Sequence, residues 1–423
     1  MKNKNNKKTN LLTRILHDKK GIYVTTAMKI VIALVTGITV LTGSTYVVKD
    51  VVMPQTESKI VEEFDKDYSA EGSGSGGAGG SITGTRNGTI PEGCIYTLAD
   101  GTILSAGTEI PPTPLTGDVY EEGDYKYIYN RDYDYDDVMC DYVDFGTEWS
   151  VVVTDTSKDL YGAIQSEIAG KPVTHLTYTF RFCEHLTSSP AIPCTVTSME
   201  GTFLYCSSLL SAPYLPSNLT NMHSTFEECT SLKTYVGSAD PDGDLSNYSL
   251  PNSVTYFNAA FRCCSSLTAA PNIPYSVIDM VSSFYGCSML LDAPAIPDGV
   301  IDMSFAFADC SSLASAPVIP SGVASIAHTF GYCASLTSAP LIPNSVVDMT
   351  GTFESCGALT TAPIIPSNVE IMNDTFNFCT SLSGSLEVNA EPYSYENCLN
   401  STQITSITGS CSQETKDALL ATK

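Results

Sequence analysis

The fold of this chain is most evident between Cys310 and Ile326, where the sequence reads CSSLASAPVIPSGVASI. The same pattern returns every 23 residues through the second half of the chain, with one break of 12 additional residues after the third unit. One unit reads V-x-x-M-x-x-[TSA]-F-x-x-C-x-x-L-x-x-A-P-x-I-P. A short fixed period with constant apolar positions indicates one coil per unit, which buries its apolar side only when stacked on its neighbours. The pattern therefore predicts a solenoid of nine coils.

Three residue types hold constant positions in every unit: a Phe, a Cys three residues later and a Leu three residues after that. We expect these side chains to form internal ladders in coils stacked about 5 Å apart. We expect a short parallel strand near S-L-x-x-A and a short helical turn around T-F-x-x-C. The predicted ladder residues are Phe180, Cys183, Leu186, Phe203, Cys206, Leu209, Phe226, Cys229, Leu232, Phe261, Cys264, Leu267, Phe284, Cys287, Leu290, Phe307, Cys310, Leu313, Phe330, Cys333, Leu336, Phe353, Cys356, Leu359, Phe376, Cys379 and Leu382.

The period also explains most of the 15 cysteines. Nine of them occupy the ladder position, where a thiol is expected to act as a small buried apolar group. Neither C-x-x-C spacing nor a neighbouring His indicates a metal site. Outside the ladder, Cys398 and Cys411 could form a local disulfide. The cysteine content therefore points to packing rather than to chemistry.

The stretch from Cys310 to Ile326 resembles the BspA-type, or Treponema-type, leucine-rich repeats of bacterial surface proteins, and the resemblance covers about residues 173–382. It implies a right-handed leucine-rich-repeat solenoid with short parallel strands, displayed on the cell surface. It also implies a role in binding host or bacterial partners.

The N-terminal segment indicates an attachment to a membrane. Residues 30–48 carry no charge over 19 residues, enough for a transmembrane helix. The basic residues before them place the N-terminus in the cytoplasm and the repeats outside. A secretory signal cut near Gly43 remains open. So does a leader cut after Gly21, because Lys19-Lys20-Gly21 before an apolar run resembles the leaders of type IV pilin-like proteins.

These patterns divide the chain into segments. Residues 90–148 contain an Asp100-Gly101 hairpin signal, and a buried strand at 149–154 followed by a short helix at 160–168 is expected to cap the first coil. The predicted segments are a basic cytoplasmic segment 1–29, the transmembrane helix 30–48, a juxtamembrane helix 49–68, a Gly/Ser linker 69–89, a small β-rich acidic module 90–148, an N-terminal cap 149–172, the solenoid 173–385 with an insertion at 233–252, and a C-terminal cap and tail 386–423.

The net charge and the positions of the Asp and His residues restrict the classes of partner and chemistry that the sequence favours. The formal charge is −25 and residues 1–29 are basic, so the rest of the chain is strongly acidic, which argues against nucleic acid as a partner. In the insertion, Asp240, Asp242 and Asp244 are weak calcium candidates, and an ordinary turn is favoured there. The five His fall at scattered positions, so no catalytic group can be assembled and no cofactor is expected.

Two functions follow from the sequence. We expect a non-catalytic cell-surface protein that uses its solenoid for adhesion or for recognition of a protein or glycan. The alternative is a structural subunit of a type IV pilus-like assembly.

Overall fold

A computed structural model describes residues 89–111, 113–129, 148–235, 245, 248 and 250–423, all within one compact unit. Among these residues there is no helix with the length and apolar character needed to span a bilayer. The predicted leader site Gly21, the segments between residues 1 and 88, and Asp240, Asp242 and Asp244 lie outside the described residues. They stay predictions.

The described chain begins with a seven-stranded sheet. Its strands are β1 (Ile95–Thr97), β2 (Ile103–Leu104), β3 (Val119–Glu122), β4 (Tyr125–Tyr129), β5 (Trp149–Val153), β6 (Glu167–Ile168) and β7 (Lys171–His175), in the order β2-β1-β3-β4-β5-β7-β6. All neighbours are antiparallel except β5 and β7. The predicted hairpin joins β1 to β2, with Gly101 at φ +87°. One sheet therefore crosses the boundary predicted at residues 148–149.

Tyrosine rings form the core of this sheet. In β4, Tyr125, Tyr127 and Tyr129 alternate with less buried residues, as expected of a strand with one covered face. The carboxylate of Asp118 is buried and accepts hydrogen bonds from Tyr96 Oη and two backbone amides. The buried Asp118 carboxylate is therefore fully paired within the packed core of this sheet.

The helix predicted at residues 160–168 is wrong. The segment is extended until β6, because side chains of the sheet take its backbone donors. The Gly162 amide donates to Asp124 Oδ2 at 3.0 Å, and the Gln165 amide donates to Tyr127 Oη at 3.0 Å. These long-range bonds replace the local ones that a helix would need.

The repeats stack through parallel backbone contacts between residues 23 positions apart. Single-residue bridges join Asp279 to Asp302, Asp302 to Ser325 and Ser325 to Asp348, and a second line of bridges lies two residues after the ladder Leu. The only paired strands of two residues or more among the described repeats are β8 (Ser211–Ala212) with β9 (Thr234–Tyr235), and β10 (Ser383–Glu387) with β11 (Gln403–Thr408). The predicted strands are thus reduced mostly to bridges.

The T-F-x-x-C segment is a turn and not a helix, because alternate amides leave the coil. In the coil of Phe307, the Cys310 amide donates back to Phe307 O at 3.2 Å. The Phe307 amide instead donates to Thr329 O of the next coil at 3.0 Å. On this side of the stack, donors therefore point toward the following coil.

The ladder phenylalanines form one continuous column. Neighbouring rings lie 5.2–6.0 Å apart with planes within 23° of each other. The column crosses the insertion without a gap, since Phe226 and Phe261 are 5.2 Å apart. At its start, Tyr161 and Tyr125 pack on Phe180 at 5.1 and 6.3 Å.

The stack continues one coil past the ninth motif unit. The Phe376 amide donates to Cys398 O, and buried Leu399 follows where a tenth Phe would stand. Helix α1 (Gln413–Leu420) closes this end, with Ser412 as its N-cap. Beyond the helix, Thr422 Oγ1 accepts a hydrogen bond from the Leu399 amide at 3.1 Å.

In several coils an acidic residue directly precedes the Met of the repeat motif. Asp279, Asp302 and Asp348 each accept a hydrogen bond from the backbone amide two residues later. Burial, and to a smaller extent the neighbouring Asp302, raise the pKa of Asp279, while the hydrogen bond from the Val281 amide and, less strongly, Asn258 and His223 oppose the rise. These carboxylates stabilise the turn, but the burial of Asp279 is unfavourable for its charged form.

Candidate binding face

The ladder cysteines are hydrogen-bond donors, which the sequence did not reveal. From Cys206 to Cys379, each thiol points at the carbonyl oxygen of the Phe in the preceding coil, at 2.9–3.2 Å. The first ladder thiol, Cys183, lies 3.1 Å from Tyr161 Oη. Burial raises the pKa of these thiols, that of Cys379 to about 12. A buried thiol with so high a pKa is a poor nucleophile.

Seven of the nine ladder phenylalanines directly follow a Thr or Ser, whose hydroxyl has a similar role. Thr202, Thr329 and Thr352 donate through Oγ1 to a carbonyl of the preceding coil at 2.8–2.9 Å. The motif itself indicates only that this residue is small. Both polar side chains of the motif are therefore used inside the stack, and neither is available for a ligand.

The residue before each ladder Cys, in contrast, faces solvent in an unusual backbone conformation. It has a positive φ in all nine motif units. For a residue other than glycine this conformation costs roughly 1–2 kcal/mol. The residues at this position are Phe182, Tyr205, Glu228, Cys263, Gly286, Asp309, Tyr332, Ser355 and Phe378.

Four of these nine positions carry large aromatic side chains. Phe182, Tyr205, Tyr332 and Phe378 have φ values of +59° to +63° and are 39–50% exposed. We name these four residues the aromatic row. Asp309 and Ser355 adopt the same positive φ at this position, so the backbone conformation does not require an aromatic side chain there.

At one end of the row the rings form a compact cluster. Phe182 and Tyr205 stack at 5.0 Å with planes 10° apart. The guanidinium of Arg181 lies 4.7 Å from the Phe182 ring centroid and 5.3 Å from that of Tyr178. Tyr178 in turn lies over Gly201, where a Cβ atom would come within 2.1 Å of the ring.

A second cluster surrounds Tyr332. Its hydroxyl donates to Glu354 Oε1 at 3.3 Å, and Glu354 Oε2 lies 3.6 Å from His328 Nδ1. The His328 ring stacks on Phe305 at 4.7 Å and lies over Gly351, where a Cβ would be 2.2 Å from Nδ1. Polar and aromatic groups thus meet on the same exposed side of neighbouring coils.

The family of the chain follows from its repeats. The family model for the BspA type leucine rich repeat region matches residues 171–239, 242–314 and 301–417, more than half of the chain. The chain belongs to the BspA-type leucine-rich repeat family.

Similar solved structures are leucine-rich repeat proteins of bacteria. The leucine rich repeat protein TpLRR of T. pallidum is 30% identical, with 36% of this chain and 71% of that chain covered and a TM-score of 0.30. A leucine rich cell surface protein from Faecalibacterium prausnitzii A2-165 is 19% identical, with 73% and 98% covered and a TM-score of 0.35. Pneumococcal vaccine antigen PcpA is 15% identical, with 73% and 96% covered and a TM-score of 0.32. The comparison with curated proteins gave no match.

In this BspA-type chain the predicted ladder residues lie in the described part of the sequence, whereas Gly21, Asp240, Asp242 and Asp244 do not. All the predicted ladder residues are fully buried. Cys398 and Cys411 are free thiols, so the disulfide considered between them is absent. Among the described residues no three His, Cys, Asp or Glu are placed to hold a metal ion. Of the insertion, Leu245 and Tyr248 are buried, and Tyr248 stacks on Tyr235 at 5.5 Å.

The aromatic row was missed because the motif treats its position as variable. The sequence does show an aromatic residue directly before four of the ladder cysteines. The pairs are Phe-Cys at 182–183 and 378–379 and Tyr-Cys at 205–206 and 332–333. A second exposed line, Val318, Leu341 and Ile364, follows the first Pro of three successive units and is aliphatic.

Proposed function

We propose that this BspA-type chain is a non-catalytic surface protein that binds a macromolecular partner through the aromatic row. The observation that carries the proposal is the presence of Phe182, Tyr205, Tyr332 and Phe378 at exposed positions of positive φ. Aromatic side chains are enriched at the energetic centres of protein interfaces, because they bury a large area at a small entropic cost.

Serine is a suitable replacement at these positions. Ser355 already occupies the same motif position at φ +59°, so the backbone accepts serine there. The test variant changes Phe182, Tyr205, Tyr332 and Phe378 to serine. The control variant changes Val318, Leu341 and Ile364 to serine, and so removes exposed apolar area from a different line of the same coils.

Binding is measured against immobilised matrix proteins and glycans. The proposal expects the wild-type chain and the control variant to retain the same partner with affinities within about twofold, whereas the test variant loses at least about tenfold, as expected when central aromatic contacts are removed. Equal losses in both variants, or a partner retained by the test variant, would overturn it. Circular dichroism spectra must match among the three proteins.

We also propose that the repeats are displayed outside the cell on a retained N-terminal helix at residues 30–48. The support is the uncharged run after a basic segment. Intact-mass measurement of the protein from membranes tests this. A mass that includes Met1 supports the anchor, and a mass that begins after Gly21 or near Gly43 refutes it.

A further inference from the structure

Phe378 stands without a neighbouring ring in the aromatic row. It is 50% exposed, and the equivalent residues in the coils before and after it are Ser355 and Ser401, at φ +59° and +63°. Phe182 and Tyr205, in contrast, occupy adjacent coils and stack on each other. A serine side chain extends only to Oγ, so neither neighbour in the row can cover a face of the Phe378 ring.

Hydrogen bonds between coils hold this ring in place. The Phe378 amide donates to Asn400 O at 3.0 Å, and the Ser355 amide donates to Asn377 O at 2.7 Å. Within its own coil, Phe378 O accepts a hydrogen bond from the Thr380 amide at 2.9 Å. The backbone under the ring is therefore fixed before a ligand arrives, which lowers the entropic cost of binding.

A network of side-chain amides lies next to the ring. Asn377 directly precedes Phe378, and its Oδ1 accepts a hydrogen bond from Asn400 Nδ2 at 2.8 Å. Asn377 and Asn397 both donate through Nδ2 to Asp374 Oδ1, each at 3.1 Å. Each of these bonds uses one of the two hydrogens of an amide nitrogen. The half-buried Asn400 and the exposed Asn397 therefore present a second amide hydrogen and a carbonyl oxygen in a fixed orientation.

The composition around the ring favours a neutral ligand with hydroxyl groups. Residues 374–403 contain no Lys, Arg or His, and Asp374 contributes a negative charge to the network, so an anion would be repelled. A sugar ring has hydroxyl groups that both donate and accept hydrogen bonds, as the amides of the network do. Its C–H groups are attracted to the negatively polarised face of an aromatic ring.

We propose that Phe378 is the platform of a binding site for a neutral sugar unit of a glycan. The sugar ring stacks on a face of the Phe378 ring, and its hydroxyl groups exchange hydrogen bonds with the side chains of Asn397, Asn400 and Ser401. This inference rests on the proposed binding function and specifies the chemistry of the partner.

The test applies the labelled chain to an array of neutral and acidic glycans, and then titrates the soluble form of the neutral glycan with the strongest signal. We expect Phe378→Ser to lose at least about tenfold in affinity for that glycan, because it removes the central aromatic contact. The matched control Leu341→Ser removes an exposed apolar side chain elsewhere and should stay within about twofold. Absence of any neutral glycan bound by the wild-type chain, or equal affinity of Phe378→Ser, would overturn the inference.

A second variant blocks the faces of the ring without removing it. Ser355→Phe with Ser401→Phe places a ring on each side of Phe378, at a backbone conformation that Phe182 also adopts. Stacking like that of Phe182 on Tyr205 then covers both faces of the Phe378 ring. We expect this double variant, with an unchanged circular dichroism spectrum, to lose at least about tenfold in affinity for the glycan. Unchanged or tighter binding would show that the ring face is not the contact and would refute the site.

The outcome for the sugar site is distinct from the outcome for the aromatic row. If the four-residue serine variant of the row loses a matrix protein while the wild-type chain binds no neutral glycan, the binding function stands and the sugar site is refuted. If the serine variant of the row keeps every partner of the wild-type chain, both proposals fail.

Discussion

Replacing Cys310 tests whether the ladder thiols stabilise the stack as donors or only as apolar fillers. Cys310 is fully buried, and its Sγ lies 3.2 Å from Phe284 O. That oxygen also accepts the Cys287 amide, so removal of the thiol leaves the carbonyl with a partner. The cost of the change is therefore limited to packing and to one weak hydrogen bond.

The expected magnitudes follow from these contacts. In Cys310→Ala, loss of buried apolar area costs about 1 kcal/mol, the residual cavity about 0.5 kcal/mol and the hydrogen bond about 0.5 kcal/mol. The sum is about 2 kcal/mol of unfolding free energy. Cys310→Ser keeps a donor opposite the same oxygen, and we expect it to cost less, about 1 kcal/mol. Thr402, which is buried one unit after Cys379, shows that the ladder position accepts a hydroxyl, although it donates to Leu399 O of its own coil at 2.8 Å.

The assay is urea unfolding followed by circular dichroism, with the midpoint as the readout because repeat arrays depart from two-state behaviour. Cys194→Ser is the matched control, since Cys194 is exposed and outside the ladder. We expect no shift for the control, a small decrease for Cys310→Ser and the largest decrease for Cys310→Ala. A serine variant as unstable as the alanine variant would refute the donor role.

Three further changes probe the stack, each by its unfolding midpoint. Phe307→Ala should cost about 3–5 kcal/mol by opening the ring column, whereas Phe307→Leu should cost about 1.5 kcal/mol; similar costs would argue against ring-specific packing. Gly351→Ala should cost at least about 2 kcal/mol, since the φ of Gly351 is +55° and the added Cβ would meet His328. In the Gly351→Ala background, His328→Ala should restore part of this stability, and Gly357→Ala is the neutral control. If His328→Ala restored nothing, the clash would be contradicted. Asp279 has a raised pKa in the folded state, so its contribution to stability is present at low pH and is lost as pH rises through that pKa. Asp279→Asn should therefore be more stable than wild type at pH 7 and not at pH 3. A stability difference that is the same at both pH values would contradict the raised pKa.

The sequence predicts the interior of the solenoid well, because a 23-residue period can only superimpose equal residues when each unit forms one coil. The column of Phe rings follows directly from that spacing. The tenth coil was not evident, since Leu399 and Thr402 replace the Phe and Cys that define a unit. The extended segment at residues 160–168 was not evident either, because its partners Asp124 and Tyr127 come from a distant strand and turn.

The candidate site was less accessible to sequence reasoning. A buried Cys has the same pattern whether its thiol donates or merely fills space, so only the position of the Phe carbonyl distinguishes the two. Phe and Tyr disfavour a positive φ when considered alone, and here the amide of each such residue donates to a carbonyl of the following coil, as that of Tyr332 does to Glu354 O. The binding face therefore depends on contacts between coils, which a motif describes one unit at a time.

The amide donors of the turns give the stack a polarity, like that of a filament with two unlike ends. The N–H groups in the turns of each coil donate to carbonyls of the following coil. In the last described coil these groups need another acceptor, and Thr422 Oγ1 accepts the Leu399 amide. A change in the number of units within the array would leave this contact in place, whereas removal of residues 413–423 would take away the acceptor of the Leu399 amide.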